Sequence, residues 1–182
     1  FCAVKCYNET RGDYIMKIII VGDGKVGATL VEHLSLEGHD IIVIDRDQKV
    51  IEQLVNSYDV MGICGNGASY EAQLEAGVGD AQLFVAVTSS DELNILSCLM
   101  AKKAGAEHTI ARVRTPDYLK QVPFFKDELG LSMIVNPELD AANEIAKVLR
   151  FPNAINIETF YRGLVDLAEV KVDAGNPLCD TQ

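Results

Sequence analysis

The sequence predicts an α/β domain built on a doubly wound, parallel, six-stranded sheet. Short β-branched runs alternate with longer helical patterns, and a glycine-rich turn joins the first run to the first helix. With 182 residues the chain has room for one such core and a small appendage, not for two full domains.

Residues 1–15, FCAVKCYNETRGDYI, lack the apolar stretch of a signal peptide and read as a leader or artificial extension ahead of the fold. From Lys17 onward, apolar runs at 18–21, 41–44, 60–63, 83–87, 109–113 and 132–135 are short and nearly unbroken, as strands covered on both faces should be. Between them, 26–36 places Val26, Leu30, Val31 and Leu34 on one helical face. The segment 91–104 does the same with Leu93, Leu96, Leu99 and Met100. Thr88, Ser89 and Ser90 offer cap hydroxyls ahead of Asp91 and Glu92, and Pro137 and Glu138 open a last helix near 140–149 in a similar way.

Right-handed crossovers between two βαβαβ halves predict the strand order 3-2-1-4-5-6, with a ligand crevice at the carboxyl ends of strands one and four. This domain is expected over 16–150. Phe151-Pro152 then stops the helical pattern, and 154–160 and 164–172 read as two strands around Arg162-Gly163. Residues 151–182 are therefore expected to form a linker and the start of a small α+β C-terminal subdomain, cut short.

The formal net charge of −11, with sixteen scattered Lys and Arg, disfavours nucleic acid as a partner. No apolar run approaches the roughly 18 residues of a membrane span. Five cysteines, an odd number without CxxC spacing, argue against a disulfide framework or a zinc cage and fit a reducing cytoplasm.

Gly22-Asp23-Gly24-Lys25-Val26-Gly27 follows strand one and opens helix one, the context that makes GxGxxG a dinucleotide-binding, or Rossmann, fingerprint. Gly22 allows the tight turn, Gly24 admits a pyrophosphate, and Gly27 lets helix meet strand. The helix start presents N–H groups and partial positive charge to an anionic ligand. Asp45, ending strand two, is placed to accept from both ribose hydroxyls and to repel a 2′-phosphate, favouring NAD or an adenine nucleotide over NADP. Arg46 next to it is either a solvated loop charge or a holder of phosphate or adenine.

Gly65-Asn66-Gly67 after strand three, with Thr88 and Ser89 after strand four, falls at the crevice edge, where turn chemistry explains the glycines equally well. Arg112 and Arg114 alternate near the end of strand five, to reach a ligand or to pair with Asp91 or Glu92. His33, His39 and His108 have no partner at a useful spacing and read as surface or capping residues. No tyrosine has lysine four residues on, so the Tyr-x-x-x-Lys pair of short-chain dehydrogenases is absent. No catalytic or metal-binding residue is assigned.

The run from Met16 to Gly27, the segment His39 to Asp45, Gly65-Asn66-Gly67, Val87 to Asn94 and Ala111 to Arg114 together resemble the N-terminal RCK or KTN (TrkA-N) domains of Trk potassium uptake systems. The resemblance covers about 16–149. It implies a nucleotide-sensing regulatory subunit that binds NAD(H), or alternatively ATP, ADP or AMP, through Gly22, Gly24, Gly27, Asp45, Thr88 and Arg112. It further implies a homo-dimer or higher homo-oligomer at the inner face of the cell membrane, docked on an integral-membrane potassium transporter subunit of the TrkH or KtrB kind. The family often carries aspartate where Asn66 stands. Ala141, Ile145, Val148 and Leu149 on the last helix form either a dimer surface or core packing. The competing expectations are an NAD-dependent oxidoreductase fragment lacking its substrate domain, and a scaffold whose crevice binds nothing.

Overall fold

A computed structural model describes residues 15–152, 154–160 and 165–172. The expected Arg162-Gly163 turn and all but Ile15 of the expected leader lie outside them, as do Leu164, Asn176, Pro177 and Leu178. The chain divides into two compact units between Val135 and Asn136.

The first unit holds strands β1 (Lys17–Val21), β2 (Asp40–Asp45), β3 (Met61–Cys64), β4 (Leu83–Ala86), β5 (His108–Arg112) and β6 (Met133–Val135). They form one sheet in the order β3-β2-β1-β4-β5-β6, each neighbouring pair parallel, as the alternating pattern predicts. The helices are α1 (Lys25–Leu36), α2 (Gln48–Ser57), α3 (Tyr70–Glu75), α4 (Asp91–Ala104), α5 (Pro116–Leu119) and α6 (Val122–Asp127), with a 3-10 turn at Val78–Asp80. Of these, α2, α3, α5 and α6 are additions to the helices that the apolar spacing marks. The start of α2 is set by Asp47, whose carboxylate accepts from the Lys49 amide at 2.9 Å.

β1 is the spine of the core. Ile18 and Ile20 pack with Val31 of α1 and Ile51 and Leu54 of α2, while Ile19 and Val21 face Phe84, Cys98 and Ala101 on the other side. Helices on both faces explain why β1 reads as an unbroken apolar run, and each buried isoleucine contributes about 1.5–3 kcal/mol. On α1, Val31 is buried and Val26, Leu30 and Leu34 pack against the core, as their spacing predicts.

The buried face of α4 differs from the expected one. It consists of Asp91, Asn94, Ser97, Cys98 and Ala101, whereas Leu96 is 48% exposed and Leu93 and Met100 are half-buried. Small side chains let α4 lie close to the sheet, and the polar residues of its first turn bond to strand ends. The helix limits agree with the capping signals: Ser90 Oγ accepts from Leu93 N at 3.2 Å, and Gly105 ends the helix at φ 119°.

The second unit contains α7 (Pro137–Arg150) and an antiparallel hairpin of β7 (Ala154–Phe160) and β8 (Val165–Val170). α7 thus groups with the hairpin and not with the six-stranded domain, where the helical pattern ends at 149. Asn136 caps α7 by accepting from Leu139 N at 3.0 Å. No residue of α7 is buried, and Ile145, Val148 and Leu149 are 62%, 64% and 75% exposed.

Phe84, fully buried at the centre of the sheet, gives a direct test of this core. Phe84→Ala should cost about 3–5 kcal/mol, read as a lowered urea midpoint at unchanged slope. A loss below about 1 kcal/mol would contradict the packing described.

Candidate functional site

The turn from β1 into α1 is closely packed. Gly22 has φ +91°, its amide donates to the Ile44 carbonyl at 3.0 Å, and a Cβ there would stand 2.8 Å from Thr88 Cγ2. A Cβ on Gly27 would stand 2.1 Å from the Gly22 carbonyl oxygen, so α1 rests directly on the turn. Gly24 is the N-cap of α1, with no side-chain cap, and nothing lies within 4 Å of where its Cβ would be. That is a cradle a side chain would fill, at the positive end of a 12-residue helix.

The turn opens on a crevice of about 360 Å³ at the carboxyl ends of β1 and β4. Among the expected site residues, Gly22, Asp23, Gly24, Asp45, Arg46, Gly65, Thr88, Ser89 and Arg112 line it, joined by Gly67, Ser90 and Leu93. Lys25, Val26, Gly27 and Asn66 do not. Gly27 supports the turn from beneath. Asn66 serves its own loop, its Oδ1 accepting from Ala68 N at 3.2 Å and its carbonyl from Ser69 N at 2.7 Å.

Asp45 stands at the end of β2 with its carboxylate already oriented. Oδ2 accepts from Asp23 N at 2.9 Å and Oδ1 from Asp47 N at 2.8 Å, so one side chain ties the glycine turn to the loop after β2. Burial, and secondarily the like charge of Asp45, raises the Asp23 carboxyl above its ordinary range. Gly67 crosses β1 so closely that a Cβ would meet Val21 Cγ1 at 2.0 Å, which makes this glycine a packing requirement beyond turn geometry.

Three buried polar side chains hold the crevice walls, and their functional weight is not apparent from residue spacing alone. Asn94, fully buried, accepts through Oδ1 from Thr88 N at 2.8 Å and from Thr88 Oγ1 at 2.7 Å. Its Nδ2 donates to the carbonyls of Thr88 at 3.1 Å and Arg112 at 2.9 Å, pinning the ends of β4 and β5 together. Gln73, also fully buried, donates to the Gly67 carbonyl at 2.7 Å and the Ser97 carbonyl at 3.0 Å, fixing the loop after β3 to α4.

Asp91 is 4% exposed, and its Oδ2 accepts from Arg114 N at 2.9 Å, Thr115 N at 2.7 Å and Thr115 Oγ1 at 2.6 Å. Burial raises its pKa, but the Thr115 hydroxyl, the two amides and the Arg114 guanidinium outweigh that, so the carboxyl titrates below its usual range. The readable signal for Asp91 and Asn94 is polar residues repeating at the core-facing spacing of a helix. Arg112 and Arg114 diverge accordingly. Arg112 lines the crevice, whereas Arg114 pairs with Asp91 at 3.6 Å and donates to the Ser89 carbonyl, the structural alternative expected for it.

Catalytic groups of other kinds lie elsewhere. His39 and His108 face Glu37 and Glu107 at 3.4 and 3.5 Å, and none of the histidines lines the crevice. Burial pushes the Cys98 thiol up to about 12, which leaves it protonated and inert. Among the described residues there is no cluster of three or more His, Cys, Asp or Glu fit for a metal, and no helix long and apolar enough to cross a membrane.

Comparison with known proteins places these features in a family context. Residues 18–137 match the TrkA-N domain family. The chain is 39% identical over 161 residues to a Trk system potassium uptake protein TrkA homolog of Archaeoglobus fulgidus, covering 88% of this chain and 36% of that protein. It therefore spans about a third of the length of that relative. Among solved structures, the GsuK channel bound to NAD superposes with a TM-score of 0.57 at 19% identity, over 68% of this chain and 22% of that one. The Shewanella denitrificans Kef CTD in its AMP-bound form gives 0.61 at 20% identity, over 76% of this chain and 82% of that one. At these identities the two structures speak to the fold.

Two measurements test the polar ties. Asn94→Leu strips partners from the Thr88 amide and two carbonyls and should cost about 3 kcal/mol or more, and Asn94→Asp, which sets a buried carboxylate oxygen against the Thr88 and Arg112 carbonyls, should also destabilise strongly. An Asn94→Leu variant within about 0.5 kcal/mol of the parent in urea would refute the role. Because folding lowers the Asp91 pKa, the unfolded chain binds its proton more readily. Stability from this group is present above the ordinary carboxylate range and is lost as pH falls through it. Asp91→Asn should flatten that acid limb of the stability–pH curve, and parallel curves for the two proteins would contradict the assignment.

Proposed function

This chain belongs to the TrkA-N domain family, and from that membership we propose that it is the nucleotide-sensing domain of the regulatory subunit of a potassium uptake system. The observation that carries the reading is the crevice, where the start of α1, left open at Gly24, faces the pre-oriented carboxylate of Asp45. Together they offer anion-binding amides and a ribose acceptor at the two ends of a nucleotide.

In this reading the turn at Gly22 and Gly24 takes the phosphates. Asp45 accepts from the ribose hydroxyls, and Thr88 and Ser89 line the opposite wall. Arg112, carried at the end of β5, supplies positive charge to an anionic ligand in a crevice that also carries the carboxylates of Asp23 and Asp45. Lys25, Val26 and Gly27 act through the first-turn amides of α1, and Arg46, Gly65 and Asn66 border the adenosine side. NAD(H) is the ligand this arrangement favours, with ATP, ADP and AMP as the alternatives sharing the same adenosine contacts. The crevice residues bind and orient a ligand, and no proton donor or nucleophile is assigned to them.

Regulation requires that nucleotides bind two arrangements of the paired domains unequally, by about 1–3 kcal/mol for ordinary coupling. The exposed Ile145, Val148 and Leu149 of α7 are the surface we assign to a homo-dimer or higher homo-oligomer. The assembly would act from the cytoplasmic side, at the inner face of the membrane, on an integral-membrane potassium transporter subunit of the TrkH or KtrB kind.

Titration calorimetry with NADH, NAD, ATP, ADP and AMP tests the core of this reading. Saturation at about 100 times Kd should add about 2.7 kcal/mol to stability, without turnover. Asp45→Ala should weaken NADH and adenine nucleotides together, by about 10- to 100-fold for the loss of charge-assisted ribose bonds. Unchanged affinities would remove Asp45 from the site, and substrate-dependent oxidation of NADH would replace a sensor with an enzyme.

A further inference from the structure

The glycine turn carries a charge that its geometry does not need. Asp23 sits beside Asp45, its amide bonded to Asp45 Oδ2 at 2.9 Å, and its half-buried side chain lines the crevice. Its Oδ1 is shut off from solvent with no hydrogen-bond partner. An acceptor left in this state is costly in a folded chain.

One carboxylate at the end of β2 is enough to accept from a ribose. A second beside it doubles the negative charge where a phosphate on the ribose would have to lie. Arg46, exposed on the rim of the same crevice, is the cation nearest in sequence to Asp45 and the group that would offset a 2′-phosphate. Against one carboxylate, Arg46 would balance the site. Against two, a net negative charge remains beside the ribose, since Arg112, the other arginine of the crevice, is carried on β5 and not next to Asp45.

The geometry points to Asp23 as a second specificity-determining residue, which together with Asp45 excludes nucleotides phosphorylated at the ribose 2′ position even though Arg46 lines the same crevice. This rests on the nucleotide-binding reading given above and refines it to a ligand class: adenine nucleotides with both ribose hydroxyls free.

The test is calorimetric affinity of the intact chain for NADH and NADPH, and for AMP and adenosine 2′,5′-bisphosphate, so that the result does not depend on the nicotinamide half. Asp23→Asn keeps the side-chain shape and the backbone bond to Asp45 while removing the charge, and Asp23→Ser is the second variant. In both, the preference for the 2′-hydroxyl member of each pair should fall by roughly tenfold. In the parent protein the same preference should narrow as ionic strength rises, and more steeply than in either variant, a difference that a purely structural role for Asp23 would not produce. NADH and AMP bound with unchanged selectivity in both variants, or a salt response identical in parent and variants, overturns the inference alone. A parent protein that binds none of the four overturns the nucleotide reading with it.

Discussion

Close approach of backbone at the carboxyl ends of β1 and β4 is the constraint on which the rest of the site depends. Gly22 lies against Thr88, Gly27 against the carbonyl of Gly22, and Gly67 against Val21, each at a distance that leaves no room for a Cβ. These contacts fix where α1 begins relative to the sheet, and hence where its unpaired amides point. They also bring the loop after β3 over the end of β1, so that walls from five strands converge on one crevice. In an interior packed to the density of an organic crystal, a methyl group at Gly22 or Gly27 would have to displace backbone, and one at Gly67 the buried Val21 side chain.

Once the backbones are that close, their polar groups at the strand ends have to be satisfied without help from the sheet ladder. Asn94, Gln73 and Asp91 do this from the helical layer: Asn94 and Gln73 each join backbone of two separate segments, and Asp91 takes the consecutive amides of Arg114 and Thr115. Bonded in this way, such groups stiffen the walls; with one partner removed, the others are left buried and unpaired. This accounts for the composition of the buried face of α4, where polar and small residues stand and Leu96 is left exposed.

The same geometry reconciles an acidic protein with an anionic ligand. The net charge of −11 belongs to the whole surface, whereas the crevice presents helix-start amides and Arg112 on one wall and carboxylates on another. In the proposed nucleotide reading, attraction for phosphate and rejection of a further phosphate are separated in space.

The strand order, the glycine turn and the position of Asp45 were legible in the sequence because each has a short-range cause: period-2 and period-3.6 patterning, a turn that tolerates only glycine, and a fixed length of βαβ unit. The grouping of the site residues was legible in the same measure, since parallel strands deliver their carboxyl ends to one edge. The buried face of α4, the separate roles of Arg112 and Arg114, and the carboxylate pair of Asp23 and Asp45 required the tertiary structure. Each turns on which groups from distant segments meet, and on how far water is excluded between them. Linear spacing marks Leu93 and Leu96 as apolar, but it carries no information on which side of α4 a sheet with unsatisfied strand ends will lie. Local patterning decides what elements form, and contact between elements decides which of their side chains have partners.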